Sequence, residues 1–102
     1  MTEQTLPAPQ PTDAVIVGGA RTPFTRLLGQ QASLSAVDLG THAIRHALQR
    51  ADVAAEQVDT VIMGQVVQAG QGQNPARQSA LAAGLPWTVP AMTINKVCLS
   101  GL

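Results

Sequence analysis

Three apolar runs, Ala14 to Val17, Val58 to Val67 and Met92 to Val97, alternate with two stretches that read as helices. This β-α-β-α-β order is the feature that most narrows the folds open to the chain. Strands joined by helix-length crossovers pair in parallel, and the crossover helices cover the sheet. The first run is continuous rather than alternating, as in a strand buried on both faces, and Gly18-Gly19 closes it. A further helix is expected to open at Cys98, close to the last residue, Leu102. The expected fold class is therefore α/β, a mostly parallel sheet with helices on both faces, incomplete within this chain.

Local signals mark the helix ends. Ser35 followed by Asp38 has the spacing of a capping box, with Asp in the usual Glu position. From there Val37, Gly40, Ile44, Ala47, Leu48 and Ala51 fall on one face at 100° per residue, and Asp38, His42, Arg45, His46 and Gln49 on the other. The helix should end near Ala51. In "NPARQSALAAG", Asn74 is the expected N-cap, Pro75 the first helical residue and Gly84 the stop. Residues 1–12, with Pro7, Pro9 and Pro11 among polar neighbours, are expected to be a loose tail. Residues 13–102 are read as one structural unit.

A chain of 102 residues has room for one small domain. Phe24 and Trp87 are its only aromatic residues, so the core must come from Val, Ile, Leu and Ala. Six basic and six acidic side chains balance to zero, without a basic stripe, so nucleic acid is not an expected partner. No apolar run approaches the roughly 20 residues that span a bilayer, and the N-terminus lacks the charged and apolar regions of a signal peptide. One cysteine forms no internal disulfide, and a reducing, cytoplasmic setting is expected.

That cysteine, Cys98, stands where the third strand should turn into a helix. A helix N-terminus lowers a thiol pKa from about 8.5 toward roughly 3.5–7.5, and the Cys98 N–H would point where an oxyanion forms. Gly101 leaves space nearby. Two readings stand on position alone, a nucleophile or a buried packing thiol.

Other candidates carry less. Asp38, His42 and His46 share one ridge at metal-ligand spacing. The ridge lies opposite the apolar face, where solvated polar residues belong, so no metal is expected. Gly18-Gly19 lacks the third glycine of a dinucleotide loop and opens no helix. Taken on its residues, "GQGQNPARQ" reads as a loop running into a helix N-cap.

From about residue 13 onward the chain resembles the N-terminal part of the thiolases, acetyl-CoA acetyltransferases and 3-ketoacyl-CoA thiolases. The resemblance rests on "AVIVGGARTPF", "SLSAVDLGTHAI", "VIMGQVVQAGQGQNPARQSALAAGLP" and "TINKVCLSGL". The last resembles the nucleophile segment, with Cys98 matching the acyl-accepting cysteine. The resemblance implies part of a thiolase-type domain and acyl transfer between coenzyme A thioesters through a cysteine acyl-enzyme, as in fatty acid metabolism. Acyl-CoA and acetyl-CoA would be substrates, with no separate cofactor, and the complete enzyme a homodimer or homotetramer. Leu99 departs from the Ala or Gly that often follows the nucleophile, which bears on substrate fit. The resemblance also implies that "GQGQNPARQ" is a shaped segment near the site and the subunit interface, with Arg77 and Gln78 as polar anchors. The family's histidine, second cysteine, asparagine-held water and Gly-rich turn have no matching position in these residues. The chain by itself is expected to be inactive. The competing expectation is a non-catalytic fragment or an interaction module pairing through its unfinished sheet.

Overall fold

The structure, a computed structural model, describes residues 5–102. Helix α1 spans Ala36–Ala51, strand β1 Val61–Gly64, helix α2 Pro75–Ala82 and strand β2 Ala91–Ile94, with 3₁₀ turns at Ala55–Gln57 and Val97–Gly101. β1 and β2 form a two-stranded parallel sheet with Val61 opposite Ala91 and Gly64 opposite Ile94. The α/β class and the parallel pairing follow the sequence pattern, with the expected second and third strands trimmed at both ends and at the C-terminal end, respectively.

Both helices begin and end as their residues dictate. Ser35 Oγ accepts the Asp38 N–H at 3.0 Å, and Asp38 Oδ2 accepts the Ser35 N–H at 2.9 Å. This reciprocal pairing satisfies donors that a helix start otherwise leaves unpaired. α1 stops at Asp52, whose φ of 52° lies in the left-handed region. Its N–H reaches the Gln49 carbonyl and the Val53 N–H reaches that of Leu48, a Schellman closure built on Asp rather than Gly. α2 ends the same way at Gly84, φ 96°, with Leu85 N–H on the Ala80 carbonyl.

α2 packs against α1 and against both strands of the sheet. Asn74 ties its start to β2. The Asn74 Oδ1 accepts the Arg77 N–H at 3.4 Å and the Thr93 hydroxyl at 2.7 Å, while its Nδ2 donates to the Ala91 carbonyl at 3.0 Å. The Ala76 N–H then donates to Thr93 Oγ1 at 3.0 Å. Small residues let α1 come close. A Cβ on Gly40 would lie 2.6 Å from Ser79 Oγ, and Ser79 is only 2% exposed.

The core gathers Val61, Ala80, Leu85 and Val89, with Ile44, Leu48, Val58 and Met63 packed round it. Val61 and Thr93 face α2. The opposite face of the sheet carries Ile62, Met92 and Ile94, apolar and exposed, which is the composition of strands meant for cover on both sides. Among the described residues both helices lie on the α2 side of the sheet.

The first expected strand is corrected. Ala14 to Val17 joins no ladder, and Ile16 is 96% exposed. A run of this kind becomes a strand only against a partner that takes up its N–H and C=O groups. Here the segment is held instead at the C-terminal end of α1. A Cβ at Gly18 would touch that of Ala51 at 3.0 Å, and the Arg50 guanidinium donates to the Gly19 carbonyl at 3.4 Å. Residues 5–12 carry neither helix nor strand and are exposed. Residues 1–4 of the expected tail lie outside the described residues.

Candidate active site

β2 ends at Ile94, and the chain turns sharply through Asn95 and Lys96 into the 3₁₀ turn Val97–Gly101. Where a further helix is expected to open at Cys98, the described residues form this 3₁₀ turn, which begins one residue earlier.

The geometry of this turn is unusual at one residue. Val97 has φ 51°, a left-handed conformation that a β-branched side chain strongly disfavours. Hydrogen bonds hold it from both sides. The Val97 N–H donates to Asn95 Oδ1 at 2.9 Å, and the Lys96 N–H donates to Ser100 Oγ at 2.7 Å. The Leu99 N–H donates to the Lys96 carbonyl at 3.2 Å, closing the turn over Val97 and Cys98.

Cys98 itself is free and exposed among the described residues. Among the described residues its amide N–H donates to no protein acceptor, although those of Lys96, Val97 and Leu99 all do. An exposed thiol beside an unspent N–H is an arrangement that can attack a carbonyl carbon and receive its oxygen.

The turn is seated on β1. A Cβ at Gly64 would overlap the Ser100 carbonyl oxygen and lie 2.8 Å from both its carbon and the Ser100 Cα. Ser100 is buried, at 7% exposure, amid otherwise exposed neighbours. Two hollows meet at this contact. One of about 250 Å³ is lined by Ile62, Gly64, Ile94, Lys96, Leu99 and Ser100, with Leu102. The other, about 450 Å³, lies between Gly64, Gly101, the 20–24 segment and the start of α1.

Gly64, Asn95, Val97 and Ser100 were not singled out by sequence reasoning. One signal existed, since a glycine inside a strand run often marks close approach of another backbone.

The remaining candidates lie elsewhere. His42 and His46 stack on each other, ring centroids 4.2 Å apart, while Asp38 is engaged in the helix cap. His42 lines a separate hollow with Thr22, Pro23, Gln31, Leu34 and Leu39. Replacing both histidines by alanine in the complete enzyme is expected to leave turnover within twofold and to remove no stoichiometric metal. Steady-state kinetics with elemental analysis checks this, and zinc lost with the pair would overturn it.

Arg77 and Gln78 are anchors, as expected. Gln78 Nε2 donates to the Gln71 and Gln73 carbonyls at 3.3 and 2.9 Å, and Arg77 Nη1 to the Trp87 carbonyl at 3.4 Å. They shape the loops on either side of α2. No helix among the described residues is long and apolar enough to cross a membrane.

The thiolase N-terminal domain model matches residues 14–102. The chain is 60% identical over 91 residues to an acetyl-CoA acetyltransferase of Cupriavidus necator and 58% identical over 91 residues to a probable acetyl-CoA acetyltransferase of Mycobacterium tuberculosis. Each alignment covers 89% of this chain and 23% of the relative, so the chain spans about a quarter of the length of these proteins. In structure it is similar to the Acat5 thiolase of Ascaris suum, solved in complex with coenzyme A. The TM-score is 0.78 and the identity 37%, with 83% of this chain and 22% of that one covered. On the match across residues 14–102, this chain belongs to the thiolase family, through its N-terminal domain.

Proposed function

We propose that the complete enzyme containing this segment transfers acyl groups between coenzyme A thioesters, with Cys98 as the acyl-accepting nucleophile. The observation that carries the reading is the exposed Cys98 thiol with its unspent N–H, displayed on a strained turn. Identity of 50–60% to proteins named acetyl-CoA acetyltransferase supports the substrate class.

The chemistry runs in two steps. The Cys98 thiolate attacks the carbonyl carbon of an acyl-CoA, and the Cys98 N–H donates to the developing oxyanion. The tetrahedral adduct collapses, the coenzyme A thiolate leaves, and the acyl group remains on Sγ as a thioester. The α-carbanion of acetyl-CoA then attacks that thioester, forming a carbon–carbon bond and releasing the Cys98 thiolate. Run backwards, coenzyme A cleaves a 3-ketoacyl-CoA, the reaction that degrades fatty acyl chains. The base for Cys98 and the carrier of the α-proton come from residues other than His42 and His46, neither of which lines the two hollows beside the turn. The mechanism needs Cys98 reduced, which a cytoplasmic setting provides. Trp87 and Val67, both largely exposed, offer apolar surface for assembly into a homo-oligomer.

The test is to incubate the complete enzyme with acetyl-CoA, quench in acid and map peptides by mass spectrometry. An acetyl group on the Cys98 peptide, removed by free coenzyme A, is expected. A Cys98 that stays unmodified while the enzyme turns over would overturn the reading.

A further inference from the structure

The strained residue next to the thiol is not explained by the acyl-transfer reading. Val97 adopts φ 51° without the freedom of glycine, and backbone in such a region persists only where its surroundings over-determine it. The group that supplies this from beyond the strained bond is Ser100. Its hydroxyl accepts the Lys96 N–H at 2.7 Å across a span of four residues. It is the buried residue of the turn, and its main chain is pressed onto the bare Cα of Gly64 at the end of β1. Gly64 fixes Ser100 to the sheet, and Ser100 fixes the residue before the strained one. Asn95 holds the Val97 N–H from the strand side.

We infer that Ser100 is a positioning residue for Cys98: its hydroxyl locks Val97 in the left-handed conformation that aims the thiol and its N–H at the substrate carbonyl. Ser100 does not touch the reacting atoms. Its contribution is geometric, and it is lost when Val97 relaxes to a negative φ and swings Cys98 out of line. The inference rests on the acyl-transfer reading for its kinetic consequence and on the backbone geometry alone for its structural one.

Three variants of the complete enzyme test it. Ser100→Ala is expected to lower kcat about 10- to 100-fold, the range that strain of this kind covers, with KM within about twofold, and its crystal structure to show Val97 at negative φ. Ser100→Thr, which keeps the hydroxyl, should hold kcat within about threefold of the parent. Val97→Gly combined with Ser100→Ala should regain most of the loss, because glycine takes the left-handed conformation without help. A role in stability alone would lower the melting temperature without this rescue. Ser100→Ala with unchanged kcat, or a double variant no better than Ser100→Ala, would overturn the proposal. Should Ser100→Ala fail to fold, the double variant and Ser100→Thr decide. A folded Ser100→Thr with a tenfold loss then counts against it, as does a folded double variant with no recovered rate. If Val97 relaxes in the Ser100→Ala crystal but Cys98 of the parent enzyme takes up no acyl group, the function is wrong and the geometry right. An acylated Cys98 with Val97 unmoved means the reverse.

Discussion

Replacing Cys98 by serine in the complete enzyme is expected to lower kcat/KM by about 10⁴-fold or more. A serine hydroxyl is almost wholly un-ionised near neutral pH, whereas a cysteine is a few per cent thiolate even unassisted and is intrinsically far more nucleophilic. Removing a nucleophile that works as a unit with its base costs nearly the whole catalytic effect. Stability should stay within about 1 kcal/mol, because the exchange replaces one sulfur by oxygen at a thiol that is exposed among the described residues. The loss is then chemical rather than structural, and a denaturant melt run beside the kinetic assay separates the two. A serine variant within tenfold of the parent would remove Cys98 from the mechanism.

Gly64→Ala should damage both stability and rate. The added Cβ would meet the main chain of Ser100, with the carbonyl carbon and Cα each at 2.8 Å. Backbone cannot rotate aside as the end of a long side chain can, so the turn must lift from β1. Overpacking of this kind costs about 1–3 kcal/mol and at times more. A displacement of about 1 Å at a reacting group costs roughly 10²-fold in rate. The expected result is a destabilisation of about 3 kcal/mol by urea titration and a fall in kcat of about 10²-fold. Gly40→Ala makes a useful control. It crowds the α1–α2 contact, where the atom met at 2.6 Å is a Ser79 hydroxyl oxygen, which has some freedom to turn aside. Its effect should fall on stability, with kcat within about threefold. Equal losses of kcat in the two variants would argue that the Gly64 contact has no special tie to the nucleophile.

The sequence reached some features because short-range rules decide them. The capping box of Ser35 and Asp38, the Asn74–Pro75 start of α2 and its Gly84 stop all depend on residues a few positions apart. Backbone donors near a helix end are satisfied locally or not at all. The parallel pairing of β1 with β2 was legible for a related reason, since the helix between them leaves few other ways to bring the strands together. Cys98 stood out as the one thiol at a strand end.

The Ala14–Val17 run shows where such reasoning stops. Its composition is that of a buried strand, yet a strand exists only through its neighbours, and in this chain the run rests on the end of α1 without a ladder.

By itself, then, the sequence determined the α/β class, the boundaries of α1 and α2, the family resemblance and the identity of the nucleophile candidate, all carried by residue type and local spacing. Only the tertiary structure decided how that nucleophile is held. Gly64 and Ser100 are far apart in the chain and meet only because β1 and β2 pair in register, which brings the end of one strand under the turn that follows the other. The left-handed Val97 is sustained by that contact and by the Ser100 hydroxyl. No local preference of valine would have placed it there.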